Sequence, residues 1–187
     1  METTNSLANQ FLIAMPGMAD PNFSRGVTFL CQHNADGALG IVVNRLSQFK
    51  LGEVLAQMQI ESHQPGLADL PVHAGGPVQT DRGFVLHEPF GHWESTFRVS
   101  DALCVTTSRD VLAAMAEGRG PQRVMVALGY AGWGAGQLEN EMKENAWLTV
   151  PASNSILFDT PIEARWAAAA RLTGIDIHRV SGYAGHA

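Results

Sequence analysis

The 187-residue chain holds only two cysteines, Cys31 and Cys104, far apart in apolar runs and in no CxxC pattern. That usage argues for two buried, reduced thiols over a disulfide or a nucleophile pair. Basic residues are also few. Twelve Lys+Arg against 18 Asp+Glu leave a formal net charge of -6, so the chain as a whole repels a phosphate backbone, no local basic patch stands out, and direct nucleic-acid binding is not expected. Long hydrophobic runs are missing too. The apolar run Phe11 to Met15 is too short for a secretion signal, no Lys or Arg precedes it, and Pro16 ends it. Nothing else approaches the length of a membrane span, so a cytoplasmic protein without a membrane partner is expected.

The motifs of catalysis and cofactor binding are likewise absent. There is no GxSxG elbow, and neither cysteine lies in an electropositive loop beside a histidine, so no catalytic nucleophile is indicated. Gly132-x-Gly134-x-Gly136 lacks both the spacing of a dinucleotide fingerprint and the Gly-Lys-Ser/Thr of a Walker loop. Glu139 and Glu141 in the helix that follows would repel an anion, so no nucleotide cofactor is expected. The seven histidines, His33, His63, His73, His87, His92, His178 and His186, form no HxH or HExxH. No metal is expected from that spacing, although ligands could still assemble in three dimensions. The segment around Arg109 has a strand and not a helix in front of it, which excludes a helix-turn-helix.

What is present is a well-mixed globular composition. Hydrophobic residues make up 45% and charged residues 16%, and residues 1–187 read as one domain with ample length to bury a core. The organising stretch is Val124 to Pro151. Val124 to Leu128 is apolar and β-prone, glycines follow at Gly129, Gly132, Gly134 and Gly136, and Gln137 to Asn145 is polar and helix-forming. This predicts strand, glycine loop and helix, then a second strand over Trp147 to Val150 that Pro151 stops.

The remaining elements follow from periodicity and breakers. Gln10 to Met15 reads as a strand followed by a loop to Gly26, and Val27 to Gln32 with Ala38 to Val43 reads as a hairpin turned at Asp36-Gly37. Leu51, Val54, Leu55 and Met58 follow helical spacing, with Ser47 as a candidate start. Glu61 to Pro71 is a loop, Pro71 to Ala74 a brief strand, and Gly83 to His87 another, after a turn at Asp81-Arg82. Short strands are expected at Thr96 to Val99 and Ala102 to Thr106. Ser108 is placed to cap a helix ending at Gly118, and Thr160 with Glu163 forms a capping box for a helix over Pro161 to Thr173. With about eight short strands and about four helices in no strict alternation, the pattern predicts an α+β domain with a mixed, strongly bent sheet.

Loops at strand exits are where binding groups collect, and several here are polar and glycine-flanked. Asn44 and Arg45 follow one buried strand, and Gly75, Gly76 and Arg82 lie at another. The two arginines are candidates to hold a carboxylate or other small anion, while Arg45 has the alternative of capping backbone carbonyls or pairing with Glu139. Trp133 is either a stacking platform for a ligand or a core residue packed over glycine backbone.

The stretches FLIAMPGMADPNFSRGVTFLCQHNADGALGIVVNR, HAGGPVQTDRGFVLH and ALGYAGWGAGQLENEMKENAWLTVPA, with the terminal GHA, resemble the bacterial YqgE/AlgH family over nearly the whole chain. The resemblance implies a compact α+β fold with a split, bent sheet like a pseudo-barrel. It implies no reaction, and the AlgH name carries a proposed link to transcriptional regulation of alginate synthesis. Leu46 stands where the family pattern has proline, and Gly26 where it has serine, and both loosen the backbone near the candidate site.

The expected function is that of a cytoplasmic, non-enzymatic binding or regulatory domain for a small molecule or protein. Its cleft would be lined by Asn44, Arg45, Gly75, Gly76, Arg82, Trp133, Gln137 and Glu139. The alternatives are an enzyme acting on a small polar metabolite, with Glu139 as base and Arg45 as anion holder, and a transcription-linked regulator. Ligand, partner and oligomeric state are not specified by these residues.

Overall fold

Strict alternation along β1 (Gln10–Ala14) sends Phe11 and Ile13 into one apolar cluster and Leu12 and Ala14 into another, and all four are fully buried. A strand buried on both faces must lie inside a layered structure. The computed structural model, which describes residues 6–177, supplies those layers. The further strands are β2 (Val27–Asn34), β3 (Gly37–Val42), β4 (Leu46–Lys50), β5 (Pro71–Ala74), β6 (Val78–His87), β7 (Thr96–Ser100), β8 (Leu103–Thr106), β9 (Val124–Gly134) and β10 (Trp147–Pro151).

They form one ten-stranded sheet in the order β10-β1-β2-β3-β9-β6-β8-β7, with β4 and β5 joined to it through β9. Every pairing is antiparallel except that of β5 with β9, so the sheet is mixed, and the whole is the curled, strongly bent α+β arrangement that the pattern predicts. Eight strands lie on the continuous path and two lie off it.

The bend is built into β9. Its first part pairs with β5 and β6, and its last residues, Ala131 to Gly134, pair with β3. The expected glycine loop after Leu128 is therefore strand. Gly129 adopts φ +81°, and a Cβ there would fall 2.4 Å from the Gly76 carbonyl oxygen. A Cβ on Gly76 would in turn sit 2.1 Å from the Tyr130 carbonyl carbon. The glycines let the exit of β5 pass against β9 at backbone distance, a contact that no side chain permits.

Helices α1 (Leu51–Gln57) and α2 (Arg109–Ala116) cover one face of the β5-β9-β6 region. Leu51, Leu55, Val111, Leu112 and Met115 pack there on Val72, Val85 and Val126. On the opposite face α4 (Arg165–Arg171) and a π-helical turn at Ser155–Asp159 seat Trp166, Ala169, Ala170, Ile156 and Leu157 against Phe11, Phe29, Phe84 and Leu86. Helix α3 (Gln137–Lys143) buries Leu138 beside Trp133 and Trp147.

Several local expectations are corrected. Ser47 lies in β4, where its hydroxyl donates to the Val72 carbonyl at 2.6 Å, and α1 begins after Lys50. Asp81 and Arg82 are inside β6, whose irregular register between Val78 and Gly83 takes the place of a turn. Thr160 and Glu163 form no capping box. The Thr160 hydroxyl donates to the Ser155 carbonyl, and the segment enters α4 through a 3-10 turn at Ile162–Ala164. Both cysteines are buried and free, and burial pushes the Cys31 thiol well above its ordinary range. The tail motif Gly185-His186-Ala187 and His178 lie outside the described residues.

Candidate functional site

Where β8 runs into α2, the chain Thr106-Thr107-Ser108-Arg109 lines one side of a cavity of about 360 Å³. Its floor is apolar, made by Val85, Val126 and Leu128 of the sheet, Val54 of α1, Met58 just after it, and Leu112 of α2, with Phe49 at one side. Its rim is polar, with Gln57, Thr80, Asp81, Thr107, Ser108 and Arg109. A concave apolar body with a few polar groups at one end is the usual form of a small-molecule site. Residues of α1, of α2 and of the irregular part of β6 all line this space.

Hydrogen bonds hold the rim in place. Arg109 Nη2 donates to the Met58 carbonyl at 3.0 Å, fastening the first residue of α2 to the end of α1. Ser108 Oγ accepts from the Ser95 N–H at 3.0 Å and donates to Asp110 Oδ1 at 2.5 Å, and Asp110 Oδ2 accepts from the Glu94 N–H at 2.8 Å. Burial alone would raise the Asp110 carboxyl, but the bonds from Ser108 and from backbone N–H groups outweigh it and hold it below its ordinary value. Ser108 thus occupies the capping position without making the side-chain cap expected of it.

Behind the rim runs a buried chain of hydroxyls. His87 Nδ1 lies 2.8 Å from the Glu88 carbonyl, which fixes the ring hydrogen on Nδ1 and leaves Nε2 to accept from Thr106 Oγ1 at 2.8 Å. Thr106 Oγ1 then accepts from Thr96 Oγ1 at 2.7 Å, and Thr96 Oγ1 accepts from the Trp93 N–H at 3.0 Å. Every hydroxyl both donates and accepts. Burial lowers the His87 pKa, although its bond to Glu88 opposes that shift.

The residues singled out from the sequence are spread over several surfaces. Asn44 and Arg45 share a hollow of about 290 Å³ with Ser24, Arg25, Glu163 and Trp166. Asn44 accepts from the Val27 N–H at 2.9 Å and donates to the Arg25 carbonyl at 2.9 Å. Arg45 donates to the Pro21 and Ser24 carbonyls, the capping alternative, and it does not meet Glu139. Gly75 and Gly76 form the backbone crossing with β9. Arg82 stacks over Phe84 and Tyr130 at the edge of a different hollow.

Trp133 is core. It is 6% exposed, tilted against Phe23 and edge-on to Trp147, and its Nε1 donates to Glu141 Oε1 at 3.3 Å. Gln137 Oε1 accepts from the Gly134 N–H at 3.0 Å. Glu139 lies 2.5 Å from His33 Nε2, while His33 Nδ1 accepts from the Leu7 N–H. Its own backbone N–H and the His33 ring hold the Glu139 carboxyl below its ordinary value, which does not suit it to act as a base near neutral pH. Among the described residues no three His, Cys, Asp or Glu side chains gather to hold a metal ion. None of the eight lines the 360 Å³ cavity. The only trace of that cavity in the sequence is the run of hydroxyls Thr106-Thr107-Ser108 at a strand-to-helix junction.

The chain is similar to known proteins over nearly its whole length. A family model described as AlgH-like matches residues 11–178. A UPF0301 protein of Thioalkalivibrio sulfidiphilus is 57% identical over 187 residues, covering 100% of both chains. One of Methylococcus capsulatus is 55% identical over 180 residues, covering 96% of each. The solution structure of the AlgH protein from Pseudomonas aeruginosa superposes with a TM-score of 0.81 at 48% identity, covering 100% of this chain and 99% of that one. A crystal structure from Corynebacterium diphtheriae shares the fold at 19% identity, with a TM-score of 0.74 and coverage of 97% and 94%.

Proposed function

This chain belongs to the AlgH-like family, and from its geometry we propose that it is a cytoplasmic, non-enzymatic binding domain. Its ligand is a small molecule with an apolar body and a polar, hydrogen-bonding end. The observation that carries this reading is the cavity between α1, α2 and the sheet: an apolar floor of aliphatic side chains under a rim of hydroxyls, Asp81 and Arg109. Its polar groups sit at the rim over an aliphatic floor, a lining suited to recognition. No helix among the described residues is long and apolar enough to cross a membrane.

Thermal denaturation in the presence of a library of amphipathic metabolites tests the proposal, because a ligand that prefers the folded state raises its apparent stability. Val54→Trp fills the cavity from the half-buried face of α1. Hits that raise the melting temperature of the wild type and not of Val54→Trp support the reading. A library without hits, or hits that act equally on both, refute it.

A second reading, an enzyme acting on a small polar metabolite, is favoured by one contact, the 2.8 Å approach of His87 Nε2 to the Thr106 hydroxyl. A base oriented by a third group beside a hydroxyl is the geometry of an activated nucleophile. Against it, both residues have no exposed surface, and the Thr106 hydroxyl is already shared with Thr96. Turnover abolished by Thr106→Val but retained by Thr106→Ser would favour this second reading over the first.

A further inference from the structure

Three arginines, Arg25, Arg45 and Arg165, gather around the segment Val43-Asn44-Arg45 at the exit of β3, the first through its backbone carbonyl. Arg165 Nη1 donates to the Val43 carbonyl at 2.5 Å, and Asn44 Nδ2 donates to the Arg25 carbonyl at 2.9 Å. Arg45 itself donates to the Pro21 and Ser24 carbonyls. Arg98, Arg119 and Arg123 each face a carboxylate in an ion pair, whereas these three have no carboxylate within ion-pair reach among the described residues. Their hydrogen-bond and ring partners are neutral: carbonyls, the His73 ring for Arg165, and the Trp166 face, over which the Arg25 guanidinium lies 5.2 Å from the ring centre; the one nearby carboxylate is Glu163, which acts on Arg165 through its field. In a chain of net charge -6, three arginines around one carboxylate make this region locally positive against the overall field.

Arg25 and Arg45 open on one hollow of about 290 Å³, with Ser24 and Asn44 in its wall and Glu163 as its one carboxylate. Two of the five N–H hydrogens of Arg45 are used by carbonyls, leaving three to serve a ligand. Arg25 is held at φ +56°, a backbone conformation that L-residues rarely adopt. Glycine would be relaxed there, so the position keeps an arginine at the expense of local strain. Arg165, buried directly behind Val43, adds positive potential without reaching the solvent.

We propose that this hollow is a binding site for a small multivalent oxyanion, gripped by Arg25 and Arg45, with Arg165 supplying background charge. The ligand chemistry is that of a phosphate-bearing or polycarboxylate metabolite, since both present planar or tetrahedral oxygen sets that guanidinium forks match. The site is separate from the apolar cavity in position and in chemistry.

The test is titration of the full chain with pyrophosphate, and separately with citrate, at ionic strength matched by chloride, reading the melting temperature and the Trp fluorescence. A saturable effect of either anion beyond chloride is expected, and the effective probe tells phosphate from carboxylate chemistry. Arg25→Gly, which relaxes the backbone while removing the guanidinium, is expected to weaken binding about tenfold or more. Glu163→Gln, which removes the repelling carboxylate, is expected to tighten it about threefold, a gain that a damaged fold cannot imitate. Val54→Trp leaves both effects unchanged. Absence of any response beyond chloride, or equal affinities for wild type, Arg25→Gly and Glu163→Gln, overturns the proposal.

Discussion

Lowering the pH tests how the buried charge of Arg165 is accommodated. His73 in β5 is 4% exposed. Its Nδ1–H donates to the Val126 carbonyl at 3.2 Å, and its Nε2 meets Arg165 Nη1 at 3.1 Å. A second ring proton would have to sit on Nε2, facing the guanidinium. Burial, and then the Arg165 charge, lower the His73 pKa from 6.5 to about 4. A folded-state pKa below the unfolded value means that the unfolded chain binds more protons in between. Stability is therefore complete above about pH 6.5 and falls as the pH drops towards about 4. Linkage over that window gives a loss of about 2 kcal/mol between about pH 7.5 and about pH 5. For a chain of this length that is about 4–8 °C in melting temperature.

Urea denaturation at the two pH values measures it. His87, also buried and lowered in pKa, contributes in the same direction, so the informative comparison is with His73→Gln. That variant should be less stable at neutral pH and should lose about 2 kcal/mol less than the wild type on acidification. Asp110 and Glu139, whose pKa values lie below the ordinary carboxylate value, add losses only at still lower pH. Equal stability of the wild type at both pH values, or an undiminished pH dependence in His73→Gln, would refute the assignment of His73 as a neutral acceptor from Arg165.

Four further outcomes follow from packing. Gly76→Ala places a methyl group 2.1 Å from the Tyr130 carbonyl carbon and should destabilise by about 3 kcal/mol or more in denaturant titration. Gly17→Ala, with nothing within 4 Å of its Cβ, should stay within about 0.5 kcal/mol of wild type. Thr106→Val strips the donor from His87 Nε2 and the acceptor from Thr96. It should cost about 1–3 kcal/mol, read from the shift in urea midpoint. Cys31 and Cys104 are buried, so a thiol reagent should label neither in the native protein on a timescale of minutes and both after unfolding.

The elements legible in the sequence are those whose cause is local. The hairpin of β2 and β3 follows from two β-prone runs about an Asp36-Gly37 turn, and α2 from the spacing of Val111, Leu112 and Met115 closed by Gly118. The mixed, bent α+β class follows from the order and shortness of such runs, and the family from motifs spanning the chain. Side-chain periodicity records which face of one element is buried, and a turn dipeptide records one reversal, so neither depends on a distant partner.

What only the tertiary structure decided depends on such partners. β9 continues through its glycines because β3 offers Gly37 to Gly40 as pairing residues. Trp133 goes inward because Phe23 and Trp147 arrive to enclose it. The cavity walls come from residues 49–58, 80–85, 106–112 and 126–128, and Arg165 reaches the Val43 carbonyl, next to Asn44 and Arg45, from more than a hundred positions away in sequence. A cavity or a charge cluster is a relation between surfaces. It forms only when separate elements have docked, and the one-dimensional pattern carries no term for the space left between them.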